Sequence, residues 1–542
     1  MKARSFFLAL AAALVVLFSL AAGLWWTMAR QSPLRLAEQH LALPRAARFV
    51  PRESALSLHW LVDPARLPAY AQAVAPVRHR RDARDSVQQL RDGAFALAGL
   101  AFEDELADWI GPQVSLALLE ATPDSARMGW VLALSSRDQD GARRFLQRFW
   151  QTRSLAGTDL QISRYRGMGV ISGRGALLGQ DPQPLATALI DDDLLLVASG
   201  RGVLEQALDV SQIDELHQFG DQDLERRMAQ LGDGVALVTA SPRALSTWLG
   251  LPASLAEHPD LEGLVAALGV RGPSLTVDGM LRFRSPVLPQ SRSEGHSLLA
   301  GAGGDAEVLG ALSNPAALLD ASEQDPLADW LRPVLRAALD ALDAPALDAL
   351  TQQTDGPLLW EQQPQGWLLA TRSDRPGPDP VDAALQTQGL VRSSLDGDRG
   401  PLTVWTRLQR QRSRGTDGLQ AQLAVALARD SGADWWGETL DALQRRRDGQ
   451  AAQPRLHQLE DLNAGEPALA QQLALAAVPS RAQLQRWRPW TLIQTVAGQS
   501  LMGPVQGLAL GVGPAPSSDI PIDPEQAGAS DTLRLRALLD LG

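Results

Sequence analysis

SLHWLVDPARLPAY (57–70) has a second version further along the chain, EVLGALSNPAALLDA (307–321). In each, alternating apolar residues lead to Asp63-Pro64 or Asn314-Pro315. Alternation reads as a half-buried strand. Asp or Asn caps a helix by accepting backbone N–H bonds, and Pro suits the first helical position, where its missing N–H costs nothing. Both stretches therefore predict a strand running into a capped helix.

The likeness continues in register. VSLALLEA (114–121) is echoed by GPLLWEQQ (356–363), and MGWVLALSSRD (128–138) by QGWLLATRSDR (365–375). YRGMGVISGR (165–174) is echoed by DRGPLTVWTR (398–407), and DLLLVASGRGVLEQAL (193–208) by QLAVALARDSGADWWGETL (422–440). DGVALVTASPRALSTWL (233–249) is echoed by QLALAAVPSRAQLQRW (472–487), and SLTVDGMLRF (274–283) by PVQGLALGVG (504–513). The shared order predicts two tandem copies of one fold, at 45–285 and 305–513. A Ser-, Pro- and Gly-rich linker (286–304) joins them. The tail, 514–542, reads as poorly ordered, with TLRLRALLDLG (532–542) docking as a short helix.

Apolar residues at three- and four-residue steps predict helices in DGARRFLQRFWQTR (140–153) and WGETLDALQRR (436–446), among others. Strands joined by short turns between such helices predict an α+β fold. Each copy should hold a largely antiparallel sheet with helices packed on one face.

Ahead of the copies stands an uncharged run of 24 residues, Phe6–Ala29. That exceeds the roughly 7–15 residues of a signal-peptide core and meets the roughly 20 a bilayer span requires. Residues 1–30 are read as a single-pass signal anchor, with Phe6, Phe7, Leu14 and Phe18 in the apolar layer and Trp25 and Trp26 at headgroup level. Residues 31–44 are then a linker. Ser19-Leu20-Ala21 has the small-x-small pattern of a cleavage site, but the apolar run continues past it. A short tail before the anchor and a long region after it place the globular part outside the cytoplasm, in a periplasm or thylakoid lumen.

Composition excludes much chemistry. A net charge of −12 argues against general nucleic-acid binding, which needs a basic field. The chain has no cysteine, and its one lysine is Lys2. Thiolate, iron–sulfur, Schiff-base and phosphate-loop chemistry are therefore absent from the main region. The seven histidines have no metal-pair spacing, and neither HExxH nor GxSxG occurs. No catalytic, cofactor-binding or metal-binding residue is named.

FVPRESALSLHWLVDP (49–64) and LADWIGPQVSLALLE (106–120) resemble the bacterial domain of unknown function 3352 family, common in cyanobacteria. The resemblance covers most of the chain after about residue 45. It implies a membrane-anchored extracytoplasmic protein, and it supplies no catalytic residues.

Remaining clusters each have a plain reading. Asp191-Asp192-Asp193 has the chemistry to hold a divalent cation, but reads as a solvated turn. GAGGDA (301–306) imitates a dinucleotide fingerprint, but sits in the linker and leads into a strand. RHRRDARD (78–85) is the densest basic run; it suits anionic lipid, or a solvated helix face with internal Arg–Asp pairs. The solvated reading is preferred there, as for QRQRSR (409–414) and RRR (445–447). Trp109, Trp130, Trp330, Trp367, Trp435 and Trp436 fall at element edges and read as packing. The leading expectation is a non-enzymatic envelope protein that binds a protein partner or assists assembly at the membrane. Lipid or apolar-ligand binding is the alternative, and a carboxylate-based hydrolase is third.

Overall fold

Alternation in the first half produces ten strands: β1 (Leu56–Trp60), β2 (Ile110–Leu119), β3 (Gly129–Ser136), β4 (Gln161–Tyr165), β5 (Met168–Gly175), β6 (Gln183–Ile190), β7 (Leu194–Ala198), β8 (Ala236–Ala240), β9 (Leu261–Arg271) and β10 (Ser274–Phe283). The second half supplies β11 (Val308–Leu312), β12 (Leu358–Gln363), β13 (Gly366–Arg372), β14 (Val391–Gly397), β15 (Gly400–Ser413), β16 (Thr416–Asp430), β17 (Ala433–Gly437), β18 (Gln471–Ala476), β19 (Gly507–Pro514) and β20 (Thr532–Asp540). The computed structural model describes residues 32–542 apart from short stretches, the longest being 120–127, 176–182, 290–295, 321–327 and 516–528. The Phe6–Ala29 segment lies outside the described residues. Among those described, no helix is long and apolar enough to cross a membrane.

The strands pair antiparallel in the order β4-β5-β6-β7-β3-β2-β1-β8-β9-β10. The second half pairs in the order β14-β15-β16-β17-β13-β12-β11-β18-β19-β20, the same plan with ten added to each number. Then β10 pairs antiparallel with β20, from Leu275 opposite Leu539 to Arg282 opposite Thr532. The halves thus share one 20-stranded sheet.

Two expectations are corrected here. Thr532–Asp540 is a strand and not a docked helix in a loose tail. Its leucines also satisfy helical spacing, and its partner β10 lies some 250 residues earlier, invisible to local pattern. The second copy therefore runs to 540. The match of 274–283 to 504–513 is one strand out of step: β10 answers to β20, and β19 answers to β9.

Helices also cover both faces of the sheet, not one. In β7, Leu195 and Val197 join the core of α3 (Gln139–Leu155) with Phe145, Phe149 and Trp150. Leu194, Leu196 and Ala198 face the opposite core with Leu204, Ala207 and Leu208 of α4 (Arg201–Val210). Successive side chains on a strand point to opposite faces, so the unbroken run LLLVA is the mark of two-sided burial. β17 repeats the device. Trp435 packs with Ala442 and Leu443 of α8 (Leu440–Asp448). Trp436 packs with Leu347 and Leu350 of α6 (Pro345–Gln353) and with Val381 and Leu385 of α7 (Asp379–Thr387).

Further helices include α1 (Leu67–Val74), α2 (Arg80–Ala96), α5 (Pro242–Trp248), α9 (Ala477–Arg486) and α10 (Arg488–Ala497). α2, from the first half, crosses α10, from the second. A Cβ on Gly93 would fall 1.9 Å from the Val496 carbonyl oxygen, so only glycine allows this approach.

Removing residues 516–542 tests the placement of β20. It strips the edges of β10 and β19 and exposes the apolar cluster holding Leu281, Phe283 and Leu533. The shortened chain is expected to aggregate or unfold without cooperativity in a thermal melt. A loose tail would leave the melt unchanged.

Candidate functional site

The β4–β5 hairpin turns through Arg166 and Gly167, both at positive φ (50° and 82°). This two-residue turn leans the hairpin over α4. Tyr165 Oη donates to Asp209 Oδ2 at 2.7 Å, and Arg166 Nε donates to Asp209 Oδ1 at 2.8 Å. The bonds from Tyr165 and then Arg166 hold the Asp209 carboxyl below the usual range. The same bond raises the Tyr165 phenol.

Beside this clasp lies an open groove of about 660 Å³, lined by Tyr165, Arg166, Glu205, Asp209, Ile213 and Leu216. Ile213, Leu216 and neighbouring Phe219 are each 47% exposed, large apolar side chains left facing water. Glu205 is engaged by Arg201 Nε at 2.7 Å. β4 borders the groove and pairs only with β5, so among the described residues its other edge is open. The groove thus offers apolar contacts and a fixed ion pair, and the edge strand β4 reaches it at Tyr165. Sequence reading missed it because Asp209 lies 43 residues from Arg166 and only the turn brings them together.

The clusters flagged in the sequence go elsewhere. Asp191 and Asp192 have positive φ (45° and 63°) in the turn between β6 and β7. Arg45 pairs with Asp191 and Asp193, and Arg143 with Asp192. Among the described residues no group of three His, Cys, Asp or Glu side chains is placed to hold a metal. Trp109, Trp367, Trp435 and Trp436 are buried, and Trp130 is partly buried. Trp330 lies outside the described residues. Gln409–Ser413 lie in β15, while Arg414 falls outside the description. The Arg446 side chain is covered at the end of α8, 2.8 Å from Asp430 and over the Trp435 ring.

GAGGDA folds over a buried carboxylate that went unnoticed. Gly303 N–H donates to Glu361 Oε1 at 3.1 Å, and Gln363 Nε2 donates to Glu361 Oε2 at 3.0 Å. Burial pushes the Glu361 carboxyl up to about 7. In the first half the buried polar group is His59, on β1. Its Nε2–H donates to Gln218 Oε1 at 2.8 Å, so Nδ1 accepts from Ser115 Oγ at 2.9 Å. Burial lowers it to about 4. The Ser115–His59 contact looks like a nucleophile and base, but both residues are closed off from solvent, so no substrate reaches them.

The chain matches the family model described as "Protein of unknown function (DUF3352)" over residues 10–519, and so belongs to that family. No curated protein matches it. Two solved structures similar to it are crystal forms I and III of TP0453. Each shares 9% identity at a TM-score of 0.25, covering 45% of this chain and 80% of that one. That likeness is too loose to bear on fold or function.

Two titrations test these geometries. The chain has two tyrosines, and burial raises Tyr70 as well. Asp209→Ala should bring one phenol titration down, read by ultraviolet absorbance, and leave the other in place. Glu361 has an ordinary value of 4.5 and a folded value of about 7. Its contribution to stability is full below about 4.5 and lost as pH rises through about 7. Glu361→Gln should flatten that part of the pH–stability profile in denaturant unfolding.

Proposed function

We propose that this is a single-pass membrane protein whose extracytoplasmic sheet binds a protein partner, and that the partner's chain docks in the groove beside β4. The observation that carries the reading is the groove itself: half-exposed Ile213 and Leu216 beside the end of β4, a strand whose outer edge has no strand partner among the described residues. An extended segment adding to such an edge gains main-chain hydrogen bonds, and side pockets supply selectivity. The family match begins at residue 10, inside the apolar run, which supports counting that run as part of the family's architecture. The periplasmic or lumenal location rests on that anchor.

The alternatives have less support. An apolar ligand needs a cavity, and the apolar pocket among Leu319, Leu335, Leu347 and Trp360 holds about 20 Å³, below the size of an acyl chain. A carboxylate hydrolase needs one acid held protonated. In the groove Asp209 is shifted the other way, and Glu205 is tied to Arg201.

Native mass spectrometry of the full chain, gently extracted from its membrane, tests the proposal. A second protein should be attached in fixed stoichiometry. Ile213→Asp combined with Leu216→Asp should weaken that attachment roughly tenfold or more. A chain that emerges carrying only a lipid-sized adduct, or whose partner is indifferent to the double substitution, would sink it.

A further inference from the structure

α1 and α2 pack side by side, joined through Pro76 and a single 3-10 turn, Val77–His79. One end of this pair is held by the body of the protein. Arg91 and Phe95 are buried, and Gly93 lies against Val496. The other end is not held: from Pro76 to Arg81 every residue is exposed, and Val77 is 80% exposed.

That exposed end is RHRRDARD (78–85). Four arginines face two aspartates in a chain whose net charge is −12. The internal Arg–Asp pairs expected from the spacing do not form. His79 and Asp82 approach at 4.0 Å and Arg80 Nε donates to the Ala75 carbonyl at 3.4 Å, while among the described residues Arg78, Arg81 and Arg84 have no ion-pair partner. Arg80, Arg81 and Arg84 also stand in the first turns of α2. Cations there oppose the helix dipole, which favours negative charge at an N-terminus. Asp82 in the first turn offsets part of this, but among the described residues no acidic side chain from another element pairs with these arginines. Broken local rules of this kind mark a role outside the fold.

The chain path indicates what lies opposite. Ser32 follows Ala29 by three residues, at most about 11 Å of chain. The next turn, Pro33–Glu38, packs on α1, with Leu36 in one apolar cluster with Tyr70, against which Val74 also packs. Val74 is three residues from Val77. The first described turn thus lies on the helix pair that carries these arginines.

We propose that the Val77–Arg84 end of this pair seats on the anionic phosphate layer of the membrane that holds Phe6–Ala29. Arg78, Arg80, Arg81 and Arg84 meet lipid phosphates, and Val77 enters the interface. The contact would orient the sheet relative to the bilayer and keep the partner groove at a set tilt. This rests on the anchor reading above.

The chain has no cysteine, so Val77→Cys gives a single site for an environment-sensitive fluorophore. The full chain is reconstituted in phosphatidylcholine vesicles with and without phosphatidylglycerol. The emission should shift to the blue only when phosphatidylglycerol is present, and the shift should fade with added salt. Each Arg→Gln change at 78, 80, 81 or 84 should lower the bound fraction's equilibrium constant about fivefold. A melt of the fourfold variant should match or slightly exceed the parent, because these side chains are exposed and those in the first turns of α2 oppose its dipole. If the chain floats with both vesicles but the label reports water in both, the docking is wrong and the anchor stands. If the chain does not float with phosphatidylcholine alone, the anchor is wrong and the docking falls with it.

Discussion

The pairing of β10 with β20 is the constraint on which the rest depends. It turns two ten-stranded halves into one sheet, and it places charge where burial makes charge costly. Asp278 stands opposite Arg536, and Met280 opposite Arg534. Arg534 Nε donates to Asp278 Oδ1 at 2.9 Å, and Arg536 reaches Glu466 and, at 3.2 Å, the Pro467 carbonyl. Both guanidiniums are more than nine-tenths buried. Such a cluster adds little net energy over a well-packed apolar one, but a mispaired register would strand two charges without partners. Through Asp278 it ties the last strand of one half to the last strand of the other. Around it, Leu281, Phe283, Val512 and Leu533 supply the apolar contact, and α2 crosses α10 at Gly93 as a second tie.

Much of this was legible in the sequence where the signal was local. Strand-then-Pro-capped-helix elements, the GW start shared by β3 and β13, and the order of β1, β2, β3, β5 and β8 with their counterparts all read from short patterns. What failed to read was set by partners far away. TLRLRALLDLG carries both strand and helix spacing, and only β10 decides between them. One-sided sheets were expected because alternation dominates the longer strands. The continuous run LLLVA and the adjacent pair Trp435-Trp436 hold the contrary signal, and two-sided burial is what consecutive apolar residues in a strand mean.

The candidate groove was less legible than the fold. Tyr165 and Arg166 were quoted as part of a repeat, and Asp209 not at all. Their meeting depends on a turn with two positive-φ residues and on the helix that follows β7. The acidic triplet shows the reverse error avoided: its carboxylates serve Arg45 and Arg143 and shape a turn. The buried His59 and Glu361 are of a third kind. Each is satisfied by neighbours and each titrates away from its ordinary range, yet neither touches a cleft.

Each half ends on the strand that pairs with its counterpart in the other half, antiparallel, which is the geometry a twofold axis produces. As separate chains, such halves would form a symmetric dimer whose population falls on dilution. Within one chain the same pairing is intramolecular, held at the effective concentration its connection imposes. Covalent linkage also releases the halves from having to be identical. His59 and its polar partners occur on β1 and have no counterpart on β11, where the strand is VLGAL. Glu361 occurs on β12 and has no acidic counterpart on β2. A dimer of one gene product carries every change twice; this fused pair carries each change once, so one half can acquire a surface while the other keeps the shape.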